Sequence, residues 1–110
     1  MTDSSLQIPA RLKARFEPAE GLAIFRFALE REFHFRPGQY ATLRLTHEGK
    51  TIQRPYSIAS SPTRTRELEL YINLLTEGRL TVSLWNPAVV RALETRNDST
   101  HVSFTGPKGR

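Results

Sequence analysis

The chain has 110 residues, with 16 Lys and Arg against 11 Asp and Glu, a single Trp and no cysteine. That length fits one domain, and 38% hydrophobic with 25% charged residues is a globular composition, not a disordered one. The lack of cysteine excludes disulfide scaffolds, thiolate metal sites and cysteine nucleophiles. No apolar run nears the roughly 18–20 residues of a membrane helix, and the first seven residues lack a signal-peptide pattern, so a cytoplasmic domain is expected.

Residues 1–7 are polar and are expected to be a disordered lead into one domain over 8–110. Beyond Pro9, Leu12, Ala14 and Phe16 alternate with Arg11, Lys13 and Arg15, the period of a half-buried strand. Glu17 to Gly21 reads as a turn, and Ala23, Phe25, Phe27 and Leu29 mark a second strand, together a hairpin. Phe33 and Phe35 flank His34, and Arg36-Pro37-Gly38-Gln39 turns the chain into a strand over Tyr40–Thr46. His47 to Lys50 closes that strand, and Thr51 to Ser60 should be extended but broken at Pro55, which cannot donate to a ladder. A polar loop precedes the clearest alternation in the chain, Leu68, Leu70, Ile72 and Leu74.

After Gly78 the period lengthens. Leu80 and Leu84 suit a short helix from Arg79, and Asn86-Pro87 either ends it or restarts one, with Asn as cap and Pro in the first turn. Val89, Val90 and Leu93 would be its buried face, and His101–Thr105 reads as a last strand before Gly106-Pro107-Lys108-Gly109. Five or six antiparallel strands with little helix predict an all-β domain, a small closed barrel or a sandwich.

Two segments carry chemistry. Arg54-Pro55-Tyr56-Ser57 offers a planar guanidinium for phosphate, a flat aromatic face and a hydroxyl on one short strand. An edge strand with one exposed Arg and a core Tyr has the same sequence. Thr76-Glu77-Gly78-Arg79-Leu80-Thr81 places a glycine before a helix start, where free N–H groups and a hydroxyl suit an anion; a plain strand-to-helix turn also fits. His34, His47 and His101 share no ligand spacing, so no metal is expected, and no serine sits in a Gly-x-Ser-x-Gly elbow. Trp85 and the phenylalanines are read as core.

The segments Phe35-Arg36-Pro37-Gly38-Gln39-Tyr40, Arg54 to Pro62, Leu68 to Leu74, Gly78-x-x-Thr81 and Gly106-Pro107-x-Gly109 stand in the order of a known family. Over about residues 8–110 the chain resembles the FAD-binding domain of ferredoxin–NADP reductase-like flavoproteins. It looks most like the bacterial ferredoxin/flavodoxin–NADP reductases, with flavin and oxygenase reductases as cousins. The resemblance implies a six-stranded antiparallel Greek-key barrel with one short helical excursion, and FAD as cofactor. It implies Arg54 on the diphosphate, Tyr56 stacked on the isoalloxazine and Ser57 near N5, the last two as catalytic residues. Gly78, Arg79, Leu80 and Thr81 would hold the diphosphate, and Leu74 and Leu75 would flank the ring.

The same resemblance implies electron passage between a nicotinamide nucleotide and an iron–sulfur protein or flavodoxin, with the NADP-binding domain in a longer parent chain. The family's Pro-Gly-Asp turn is missing between Asn86 and Ser99, and no glycine-rich dinucleotide loop follows a strand. Thirteen of the sixteen basic residues are Arg, which suits a phosphate ligand or an acidic redox protein, with Arg64 and Arg66 as candidate contacts. The rival reading is a small basic barrel that binds single-stranded nucleic acid, disfavoured because the aromatics alternate as a core would and no basic stripe is visible.

Overall fold

The alternating segments pair as antiparallel strands in the computed structural model, which describes residues 7–75 and 77–109. Residues 1–6, expected to be disordered, lie outside the described residues, as do Thr76 and Arg110. Gln7 is already tied down: its carbonyl accepts from Arg31 at 2.7 Å and its side-chain oxygen accepts from Ser103 Oγ at 2.6 Å.

The elements are β1 (Ile8–Ala19), β2 (Leu22–Leu29), β3 (Tyr40–His47), β4 (Lys50–Ser57), β5 (Glu67–Asn73), α1 (Arg79–Leu84), α2 (Pro87–Thr95) and β6 (Thr100–Lys108). One six-stranded sheet runs in the order β4-β3-β6-β1-β2-β5. Two hairpins, β1–β2 and β3–β4, are joined side by side through β6, and β5 adds to the free side of β2. The expected barrel is a loose one. Its two edge strands meet past the end of β4, at an isolated bridge between Ile58 and Leu70. Beside it, Ala59 N–H donates to the Glu69 carbonyl at 2.8 Å and Ser60 Oγ accepts from Glu69 N–H.

Three expectations change in detail. Strand β4 runs unbroken through Pro55, which is tolerated because β3 is its only ladder partner among the described residues. Strand β6 continues past Thr105 to Lys108, pairing Lys108 with Tyr40 across a bulge. The helical excursion is two helices: Pro87 cannot continue α1, so it opens α2, where the Asn86 side chain accepts from Ala88 N–H at 2.9 Å.

The core is the inward face of β1, β2, β3, β5 and β6, with Ile52 and Tyr56 of β4 half-buried against it. Phe25, Phe27 and Phe104 are fully buried, with Phe27 edge-on to Phe104 at 5.1 Å between ring centroids. Leu80 and Leu84 of α1 and Val89 and Leu93 of α2 complete it, α1 packing against β4 and α2 against β1 and β6.

Two polar clusters fix α1. The buried hydroxyl of Thr81 accepts from Leu75 N–H at 3.0 Å and lies 2.9 Å from the Leu75 carbonyl and 3.2 Å from that of Gly78, with one proton to donate. At the other end, Trp85 Nε1–H donates to Glu17 Oε2 at 2.9 Å, and Gly21 N–H donates to the same oxygen at 2.9 Å. The indole sits edge-on to Phe25 at 5.9 Å, with the Arg15 guanidinium 4.7 Å above it. Trp85 is therefore a half-buried clasp between α1 and the β1–β2 hairpin, more than plain core.

Thr81→Val should destabilise the domain by about 1–3 kcal/mol, because buried backbone groups lose their partner, while Thr81→Ser keeps most of the stability. Urea unfolding midpoints of the two variants test this. Donation from Trp85 and Gly21, with Arg15 nearby, holds the Glu17 carboxyl below its usual range. Its stabilising effect is then present above the unfolded-state pKa and lost as pH falls through the lower folded value. Glu17→Gln should flatten the acid limb of the stability profile, followed by the fluorescence of the single Trp.

Candidate functional site

Strand β4 places the first segment. Arg54 lies opposite Leu43, Tyr56 opposite Ala41 and Ile52 opposite Leu45, and all three partners are fully buried. The β4 face that carries residues 52, 54 and 56 thus continues the core face out to the sheet edge. Tyr56 and Ile52 are half-buried against the core, and burial pushes the Tyr56 phenol above its ordinary pKa although Arg54 pulls the other way. The ring is neutral and held by packing, with part of its face open.

Ser57 lies on the opposite face of β4, paired with Tyr40 and exposed. Arg54 is exposed, and its Nη1 donates to the Gln53 carbonyl at 2.6 Å, so the side chain is drawn toward the outer face of the sheet. There it lines an open groove with Arg44, Gln53 and Lys108.

The second segment faces β4 from across the open edge. Leu74 and Leu75 lie just past the end of β5, and Leu74 N–H donates to the Gly21 carbonyl at 2.7 Å. Gly78 N–H donates to the Leu75 carbonyl at 2.8 Å, closing a tight turn into α1. A Cβ on Gly78 would meet Thr81 Oγ1 at 3.0 Å and Leu75 Cβ at 3.2 Å, so no larger residue fits unless the turn opens. Arg79 is exposed at the helix start, Leu80 is buried in the core, and the Thr81 hydroxyl is engaged inside the turn. Of the Thr76–Thr81 segment, Thr76 lies outside the described residues.

Between the beginning of β4, ahead of Arg54, and the Gly78 turn is a cleft of about 350 Å³. Leu45 and Ile52 from the β3–β4 hairpin line one wall, and Gly78, Arg79 and Val82 line the other. His47 and Lys50 also line it, although as residues of the β3–β4 turn region they carry no motif. The signal for Lys50 is the period of two that sets it on one face with Ile52, Arg54 and Tyr56. Leu75 and Val82 expose large apolar surface beside the cleft, 61% and 47%.

The donor set fits a flavin dinucleotide. It joins a half-buried aromatic face, a guanidinium on the same strand, a turn without room for a side chain, and exposed apolar surface for a ring system. Arg64 and Arg66 are engaged elsewhere: Arg64 lies 3.7 Å from Glu67, and Arg66 donates to the Glu30 carbonyl at 2.7 Å. Among the described residues no group of three or more His, Cys, Asp or Glu is placed to hold a metal, and no helix is long and apolar enough to cross a membrane.

Comparison with known proteins points to the same cofactor. Over 92 residues the chain is 33% identical to the ferredoxin–NAD(P)(+) reductase component of the naphthalene 1,2-dioxygenase system of Pseudomonas putida, an alignment covering 84% of this chain and 24% of that protein. Over 53 residues it is 40% identical to the reductase subunit of glycine betaine monooxygenase from Chromohalobacter salexigens, covering 48% of this chain and 14% of that one. The chain therefore spans about a quarter or less of these relatives. The fold matches the ferredoxin reductase of carbazole 1,9a-dioxygenase with a TM-score of 0.74 at 22% identity, over 94% of this chain and 29% of the other. It also matches a ferredoxin NADP+ reductase of Neisseria gonorrhoeae with bound FAD and NADP, with a TM-score of 0.66 at 15% identity, over 94% and 38%. Residues 9–110 match the family described as the oxidoreductase FAD-binding domain, so the chain belongs to that family, as a ferredoxin reductase-like domain whose cofactor is FAD.

Proposed function

We propose that this chain is the flavin-holding part of a reductase component that passes electrons between a nicotinamide nucleotide and an iron–sulfur protein or flavodoxin. The observation that carries the reading is Arg54-Pro55-Tyr56-Ser57 on an edge strand whose beginning, at Lys50 and Ile52, faces the Gly78 turn across a cleft. Relatives that match this chain are named as reductase components of oxygenase systems, which supports the same assignment. FAD, when bound, supplies the exchange between two-electron and one-electron chemistry.

The chain's own residues bind and orient. Tyr56 would stack on the isoalloxazine; its packing against the core fixes the plane of the ring before the ligand arrives. Ser57, on the other face of β4 at the strand end, would donate a hydrogen bond near the reactive nitrogen. Arg54 would leave the Gln53 carbonyl and turn its fork on the diphosphate, which a planar guanidinium grips through two oxygens at once. Gly78, Arg79 and Leu80 would present backbone N–H groups to the same charge. Thr81 would serve by holding the turn in shape, because its hydroxyl is engaged there. Leu74 and the exposed Leu75 would wall the ring.

The reading assigns the nicotinamide site to a further domain of a longer parent protein, and the electron acceptor to an acidic redox protein. Arg44 and Lys108, which line the outer-face groove with no carboxylate among its described lining residues, are better placed to meet such a partner than the engaged Arg64 and Arg66.

Titration of the purified chain with FAD, read by flavin fluorescence, tests the assignment. Arg54→Ala should weaken FAD by about 1.5–3 kcal/mol through loss of a charge-assisted bond. Tyr56→Ala should lower affinity and alter the flavin absorbance envelope, whereas Tyr56→Phe should preserve both, because the ring and not the phenol does the stacking. Unchanged affinity in Arg54→Ala and Tyr56→Ala would refute the assigned roles.

A further inference from the structure

We infer that Glu17, which stands outside the cleft, is a positioning residue for flavin binding, because one of its carboxylate oxygens ties down both ends of residues 74–85. The inference rests on the flavin reading above and adds a residue outside that site on which its affinity depends.

Two hydrogen bonds to a single atom make the ties. Trp85 Nε1–H donates to Glu17 Oε2 at 2.9 Å, and Gly21 N–H donates to the same oxygen at 2.9 Å. The Gly21 carbonyl in turn accepts from Leu74 N–H at 2.7 Å. Gly21 holds a φ of 80°, and a Cβ there would stand 4.0 Å from Leu74 Cβ, so the hairpin turn lies directly against Leu74. The oxygen is thus joined to Trp85, the C-cap of α1, and through one residue to Leu74, just past the end of β5.

Between these ends lie Leu75, Gly78, Arg79 and Leu80, the residues assigned to the ring and the diphosphate. Leu80 and Leu84 anchor the middle of the stretch in the core, and the Thr81 hydroxyl shapes its turn from within. Its ends are set against the β1–β2 hairpin by Glu17.

The surroundings of the carboxylate suit that task. Arg15 Nη1 lies 3.5 Å from Glu17 Oε1, and the same guanidinium sits 4.7 Å over the Trp85 indole and 5.2 Å over the Phe25 ring. One cation therefore keeps carboxylate and indole together, and both N–H groups end on an ionised oxygen. The described residues that line the cleft include neither Glu17 nor Trp85, so the tie reaches a ligand only through residues 74–85. A stretch loosened at its ends must be ordered when the ligand arrives, and that cost is taken from the affinity.

FAD titration of Glu17→Ala, Trp85→Phe, the double variant and Glu17→Gln, with thermal melts on the same samples, tests the inference. At temperatures where the melts show folded chain, Glu17→Ala and Trp85→Phe should each weaken FAD about tenfold. The double variant should bind FAD as Glu17→Ala does, because losing the indole donor costs nothing further once its acceptor is gone. Glu17→Gln keeps an oxygen that both donors can reach, so it should restore affinity to near that of the wild type. As a control, Leu12→Val thins the core where β1 pairs with Phe27, and should lower the melting temperature with FAD affinity unchanged. Unchanged affinity in folded Glu17→Ala, losses that multiply in the double variant, or an equal loss in Leu12→Val would overturn the inference while the flavin assignment stands. A loss in Glu17→Gln as large as in Glu17→Ala would also overturn it, since charge and not the tie would then be at work. Failure of the wild type to bind FAD would remove the flavin reading itself, and this inference with it.

Discussion

Strand β4 has a ladder partner on one side and an open edge along most of the other, where the sheet reaches β5 past the strand end at the Ile58–Leu70 bridge. A continuous ladder there would have closed the sheet and left nothing to bind with. Because the edge is open, a core-facing row of side chains comes to the surface at Ile52, Arg54 and Tyr56, and α1 can stand opposite it. The same openness admits Pro55, whose missing N–H would disrupt a central strand. Edge strands invite unwanted pairing, and a proline, an arginine and a covering helix are the usual devices against it. In this domain those devices also form part of the proposed ligand site.

The opposite wall is held by polar contacts at both ends of α1. A six-residue helix has too few internal hydrogen bonds to be stable alone. Leu80 and Leu84 bury its apolar side; Thr81 ties its start to Leu75, and Trp85 ties its end to Glu17. These ties set the width of the cleft by fixing the helix that forms one of its walls. They also separate two roles that the Gly78-x-x-Thr81 motif merges: glycine removes bulk where the turn is tightest, and threonine shapes the turn from within.

How much of this was legible depends on the range of the interaction. Period-two alternation exposed the strands because one buried face dictates every second residue, as in Leu68 to Ile72. The Asn86 cap and Pro87 were legible as a possible helix start because capping is settled within three residues. The unbroken course of β4 through Pro55 was not, since it depends on which strand lies at the edge, a property of the whole sheet. Nor was the Glu17–Trp85 bond, between residues 68 positions apart with no local pattern to join them. Of the site, the Arg-Pro-Tyr-Ser motif was readable as chemistry, but the direction of the Arg54 side chain was not. Lys50 escaped notice because a lysine beside a turn is ordinary, and only its register on β4 gives it a place in the cleft.

Charge has two separate uses in this architecture. Lys13, Arg26 and Arg64 face Glu67 and Glu69 across β1, β2 and β5, and the exposed pairs among them add little stability individually. Their effect on Glu67 is to hold its carboxyl below the usual range, with the Lys13 hydrogen bond contributing most. On the β3–β4 side the balance is different: Arg44, Arg54 and Lys108 line the outer groove without a carboxylate among its described lining residues, and Lys50 and Arg79 face each other across the cleft, which Glu77 also lines. Five cations, Arg44, Lys50, Arg54, Arg79 and Lys108, thus stand around the strand that carries the proposed binding motif. Oppositely charged ligands are drawn toward such a surface before any specific contact forms, so under the proposed reading one distribution would serve both the diphosphate and an acidic partner.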